Sequence, residues 1–148
     1  MKKIIYAAIV TLLGITLSVF CGCSAKYEAV KNKDEVKVAG HTYAFSKAEC
    51  EDGEVQDLYK RAYANVKIVF IDGSTGYFDL ADTQNDETFT YEIVQHGESL
   101  ECGVRLNTDA ESLNGAGVSS EWTYSTAGNL FTSHEFGSTI VKIYFECL

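Results

Sequence analysis

The chain contains no proline and one tryptophan, and 12 basic residues stand against 21 acidic ones. Without proline no turn is preset by a ring, so strand register must come from glycine turns and from the alternation of inward and outward residues. The shortage of basic residues leaves a net charge of −9, which argues against nucleic acid and against anionic membrane surfaces as partners. His41, His96 and His134 lie far apart, and no His-x-x-x-His or Cys-x-x-Cys spacing occurs, so no zinc site is expected. Gly-x-Ser-x-Gly, Ser-x-x-Lys, Gly-x-Gly-x-x-Gly and Walker patterns are also absent, which leaves no motif for a nucleophile or a nucleotide. The acidic loop Asp82–Glu87 lacks the alternating ligands and glycine of a calcium loop and reads as a solvated turn. The expectation is a non-enzymatic protein with no cofactor.

The N-terminus, by contrast, is explicit. Lys2 and Lys3 precede an uncharged, largely apolar run from Ile4 to Phe20, and Phe20-Cys21-Gly22-Cys23-Ser24 follows. This resembles a bacterial lipoprotein signal. Cys23 fits the lipid-attachment position better than Cys21, because small Gly22 precedes it whereas bulky Phe20 precedes Cys21. Residues 1–22 then form a signal peptide and are left out of fold reasoning. Removing Lys2 and Lys3 takes the net charge from −9 to −11, since residues 1–22 hold no other charged side chain. Residues 23–37 read as a lipidated tether. Ser24 to Val36 is polar and charged with no apolar period, and would reach at most about 45 Å when extended. The expected location is extracytoplasmic, on a bacterial membrane held through the lipid.

Residues 38–148 carry a period of two. Tyr43 and Phe45 share a face, and the phase shifts before Ala48 and Cys50, which predicts a bulge. Val66, Ile68 and Phe70 precede the turn Asp72-Gly73-Ser74, and Phe78 and Leu80 follow it. Phe89, Tyr91 and Ile93, then Leu100, Cys102, Val104 and Leu106, then Trp122 and Tyr124 continue the pattern, and Leu130–Phe136 and Thr139–Leu148 complete it. Glu54–Asn65 departs from it: Val55, Leu58, Tyr59 and Ala62 recur at helical spacing with Tyr63 beside them, which predicts a short helix or helical loop. Asn107–Ser119 reads as a long polar loop. The fold expected is all-β, about eight antiparallel strands in an up-and-down barrel with one short helix after the first strand; a two-layer β-sandwich is the alternative.

Gly40-His41-Thr42-Tyr43-Ala44-Phe45, the segment Val66–Phe78 with its Asp72-Gly73-Ser74-Thr75-Gly76 turn, and Ile140–Glu146 resemble small bacterial lipocalin-like lipoproteins. The Gly-x-Trp of true lipocalins is missing here, since Thr42 and Tyr43 follow His41. The resemblance implies a barrel able to hold a ligand and carries over no binding residue.

Two functions follow from these readings. One is binding of a small apolar or amphipathic molecule, or of an envelope component, in a candidate pocket formed by Tyr59, Tyr63, Trp122 and Tyr124. The other is protein–protein interaction in the cell envelope through a filled barrel or the 107–119 loop. A cavity of a few hundred Å³ favours the first and a packed interior the second. Cys102 and Cys147 fall on apolar strand faces and read as buried thiols, with one disulfide among Cys50, Cys102 and Cys147 as the alternative.

Overall fold

The computed structural model describes residues 25–81, 86–110, 113 and 115–148. Cys23, the signal segment 1–22 and most of the acidic loop (residues 82–85) lie outside the described residues.

Eight antiparallel strands close into a barrel in sequence order: β1 Thr42–Glu49, β2 Lys67–Phe70, β3 Thr75–Asp79, β4 Glu87–His96, β5 Glu101–Asn107, β6 Glu121–Tyr124, β7 Leu130–Phe136 and β8 Thr139–Cys147. The ring shuts where β1 pairs with β8, Tyr43 opposite Cys147 and Phe45 opposite Phe145. Closure leaves the wall without the free edges an open sheet must protect. The phase shift expected in β1 is a register irregularity between Phe45 and Lys47.

The turns follow from local chemistry. Asp72 accepts hydrogen bonds from the backbone N–H groups of Ser74 and Thr75, both at 2.8 Å, which folds the β2–β3 hairpin. These donors stabilise the carboxylate and hold Asp72 below the ordinary range. Between β1 and β2 runs the helix α1, Gly53–Tyr63. Asp52 caps it by accepting from Glu54 and Val55, and Lys60 and Arg61 lie in its last turn, where the helix dipole favours cations.

Inward residues fill the barrel with rings. Tyr43, Phe70, Phe78, Trp122 and Phe145 are fully buried, and Phe70 touches Tyr43, Phe89 and Tyr91 edge to face. Such edge-to-face pairs add to the stabilisation that burial already gives. Two strand aromatics lie outside this core. Phe131 faces outward against Tyr27 and Tyr144, because the inward row of β7 is Leu130 and Thr132. Phe136 is 36% exposed at the end of its strand. Ile93 also departs from expectation and is 38% exposed although it pairs with buried Val104. The β3–β4 pairing ends at Thr75 and Thr90, so Ile93 lies past the part of β4 that β3 flanks.

The segment expected to be a free tether packs on the barrel instead. Val30 donates to the Tyr124 carbonyl and accepts from the Cys102 amide, and Thr126 donates to Glu28, which inserts residues 28–30 between β5 and β6. Residues 31–38 then cross that end of the barrel and bury Val36 and Val38. Its polar sequence hid this, because the attachment is carried mainly by backbone groups, which a hydropathy pattern does not register.

Cys50, Cys102 and Cys147 are free thiols. Cys102 is fully buried, as expected. Cys147 is only half-buried: it ends the inward row of β8, where the wall stops, and its Sγ lies 3.6 Å from His41 Nδ1.

Candidate functional site

The barrel has two ends. One receives residues 28–38, the turns 71–74 and 97–100, and the β6–β7 turn. The other receives α1 and the β5–β6 and β7–β8 connections. Three of the four candidate pocket residues lie toward the helical end and one toward the other.

α1 directs Tyr59 and Tyr63 onto the barrel, four residues apart and therefore on one face. Their rings stack with centroids 6.1 Å apart, and both side chains are fully buried. Tyr63 reaches Phe45 at 6.0 Å and Phe145 at 5.9 Å. Phe145 in turn meets Trp122 edge to face at 5.2 Å, so Tyr59, Tyr63 and Trp122 belong to one continuous stack. Both phenol groups are partnered. Tyr63 donates to the Gly117 carbonyl at 2.6 Å, and the Tyr59 hydroxyl hydrogen-bonds His134 Nδ1. Burial pushes the titration of both tyrosines upward, so they stay neutral. Trp122 donates its indole N–H to the Ser119 carbonyl at 3.0 Å. Gly103 permits this placement: a Cβ there would stand 1.9 Å from the Trp122 carbonyl oxygen.

Tyr124 is separate. Its hydroxyl lies 3.4 Å from the Lys37 carbonyl, in the segment that covers the opposite end. Near it, Tyr43 is fully buried, and among the described residues its hydroxyl has no hydrogen-bond partner. Burial, with Tyr124 and Cys147 nearby, strongly opposes ionisation of Tyr43.

Sequence reasoning missed His134, Phe136, Leu113 and Ala116 at the helical end. Phe136 meets Tyr59 edge to face at 6.0 Å, and Leu113 and Ala116 are buried. One signal was present for His134: it has the parity of Leu130 and Thr132 on β7, and so faces inward. Gly117, at φ +79°, adopts a conformation that favours glycine and sets its Cα against the His134 ring; a Cβ there would stand 3.0 Å from that ring. Leu113 and Ala116 lie in a segment without periodicity, so nothing in the sequence marked them.

Two open grooves lie on the surface that the described residues form. One, of about 870 Å³, is lined by residues of the β1–α1 link and the start of β8, including Glu49, Cys50, Asp52 and Lys142. The other, of about 680 Å³, runs beside Ile71, Gly76, Thr90 and Asn107. Neither includes Tyr59, Tyr63, Trp122 or Tyr124. Among the described residues no group of three His, Cys, Asp or Glu side chains is placed to hold a metal ion.

The outer wall carries its own polar cluster. Arg105 bonds Glu121 at 2.8 Å and Glu92 at 3.1 Å, and His96 Nδ1 lies 3.1 Å from Glu121. Arg105 chiefly, with His96 adding to it, holds the Glu121 carboxyl below its ordinary range. Arranged this way, the cluster ties β4, β5 and β6 together across the wall. The chain matches no family model, no curated protein and no solved structure.

Proposed function

We propose that this is a lipid-anchored, extracytoplasmic envelope protein whose barrel serves as a non-enzymatic protein–protein interaction module. The observation that carries the reading is the filled interior: Tyr43, Phe70, Phe78, Trp122 and Phe145 are fully buried and packed largely ring on ring. An eight-stranded barrel is just wide enough to be filled by side chains or to hold one small ligand, and here rings take that volume. Both ends are also covered, by Tyr59 and Tyr63 at one and by Val36 and Val38 at the other. A carrier of small apolar molecules needs a lined void and an entrance. Function in the filled reading rests on the outer surface. Its net charge of −11 after loss of residues 1–22 suits a partner with a basic face. The anchor rests on Cys23 and the signal-like sequence before it.

The experiment is a titration of the mature protein with fatty acids, quinones and haem-like molecules, followed by Trp122 emission and by thermal stability. Neither signal should move. A saturable shift in both would replace the interaction reading with the carrier one. In parallel, crosslinking in intact cells should trap a discrete envelope protein in a salt-sensitive manner, and recovery of no protein partner would count against the module.

A further inference from the structure

We propose that the outer wall formed by β7, β8 and β1 around Tyr27 is a membrane-facing surface, seated on the phospholipid headgroups of the bilayer that holds Cys23. The inference rests on the reading of Cys23 as the lipid-bearing residue, and adds how the domain is oriented.

The first argument is chain length. The polar N-terminal segment is not free to hold the barrel away from the membrane. Lys26 Nζ pairs with Glu146 at 2.6 Å, the Tyr27 ring lies 4.5 Å from Tyr144 and 6.1 Å from Phe131, and residues 28–30 are hydrogen-bonded into the barrel. From Cys23 to Lys26 is three residues, which span at most ~11 Å. The headgroup layer on each side of a bilayer is itself ~5–8 Å thick. A lipid seated in the membrane therefore brings Lys26 to within a few ångströms of the headgroups, and the wall that carries Lys26 comes with it.

The second argument is the chemistry of that wall. Tyr27, Phe131 and Tyr144 form a cluster of partly exposed rings, the side-chain type enriched where membrane meets water. Four residues along β8 from Tyr144, on the same face, Ile140 is 58% exposed. Lys47 places its ammonium 4.7 Å from the Tyr144 ring centre, with its charge at the surface. The charge also fits. The chain as a whole is acidic, yet on this wall Lys26, Lys47 and Lys142 balance Glu49, Glu135 and Glu146, with Lys26 paired to Glu146 and Lys47 to Glu49. A wall so neutralised can approach headgroups that would repel the rest of the surface.

The test uses the processed, lipidated protein in phosphatidylcholine vesicles containing headgroup-spin-labelled lipid. Tryptophan is introduced by Ile140→Trp on the proposed wall, or by Thr90→Trp at an exposed position of β4, across the barrel from β8, and the emission of Trp122 is subtracted. Quenching at position 140 should exceed that at position 90 by about twofold or more, as an interfacial site requires. A flexible Gly/Ser insertion of about a dozen residues between Ser24 and Ala25, which leaves the barrel sequence intact, should lower the quenching at 140. Equal quenching at the two positions in vesicle-bound protein would overturn the orientation while leaving the anchor standing. Protein that carries no lipid by mass and does not float with vesicles would instead overturn the anchor, and the orientation with it.

Discussion

The two ends of the barrel are closed by different physical means. At one end the chain segment 28–38 is held by backbone hydrogen bonds, Val30 to Tyr124 and Cys102 and Thr126 to Glu28, with Val36 and Val38 beneath it. At the other, side chains do the work: Tyr59 and Tyr63 descend from α1 and are fixed by His134 and by the Gly117 carbonyl. Backbone bonds survive most substitutions, because every residue but proline supplies the same groups. Side-chain closure depends on particular residues. The helical end is therefore the one that single substitutions can open.

Tyr63→Ala gives the largest expected effect. It removes a fully buried ring that touches Phe45, Tyr59 and Phe145, and should cost about 3–5 kcal/mol in urea unfolding. Because Trp122 belongs to the same stack, its emission should shift toward the red as water gains access. An unshifted emission would mean that the neighbouring rings collapse into the space and that this end is not held by Tyr63.

Val36→Ala breaks the opposite end more gently. The lost burial amounts to about 2 kcal/mol, and Trp122 emission should stay unchanged while hydrogen exchange at Val30 and Cys102 quickens. Equal exchange in the two proteins would imply that the segment is held without its valines.

The hydroxyls sharpen the comparison. Tyr63→Phe deletes one buried hydrogen bond and strands the Gly117 carbonyl, a loss of about 1 kcal/mol or more. Tyr43→Phe deletes a hydroxyl that has no partner among the described residues and should leave stability unchanged or raise it slightly. Equal losses for the two would show that the Tyr43 hydroxyl is partnered in solution.

Acid should act least, and on the N-terminal segment. Lys26 first, then Ser46, holds the Glu146 carboxyl below its ordinary range. A depressed carboxylate contributes its stability above the unfolded-state value, about 4.3 for glutamate, and loses it as pH falls through the folded value. The pair is exposed, so the effect is a small fraction of an ordinary ion pair's worth. Ring resonances of Phe131 and Tyr144 should move below about pH 4 as Tyr27 loosens; constant shifts down to acid unfolding would detach Glu146 from this role.

How much of this was legible depended on the kind of interaction. Strand positions, the bulge after Phe45 and the helix face of Tyr59, Ala62 and Tyr63 were readable, because burial of one face writes a period into the chain. Tyr59, Tyr63 and Trp122 could be grouped as large rings on apolar faces. Tyr124 was grouped with them although it belongs to the other end, since parity gives the face of a strand but not the height along the barrel. His134 entered the helical end through its contact with Tyr59, a pairing 75 residues apart that no local pattern records.

The sequence alone determined an all-β chain with a helix after its first strand, an acidic surface and a signal-like start, because each is a local or additive property. Tertiary structure decided that the sheet closes on itself, that rings fill the interior, and that residues 28–38 are part of the domain. Those outcomes depend on contacts between residues remote in the chain, and on backbone hydrogen bonds whose donors and acceptors are the same at nearly every position.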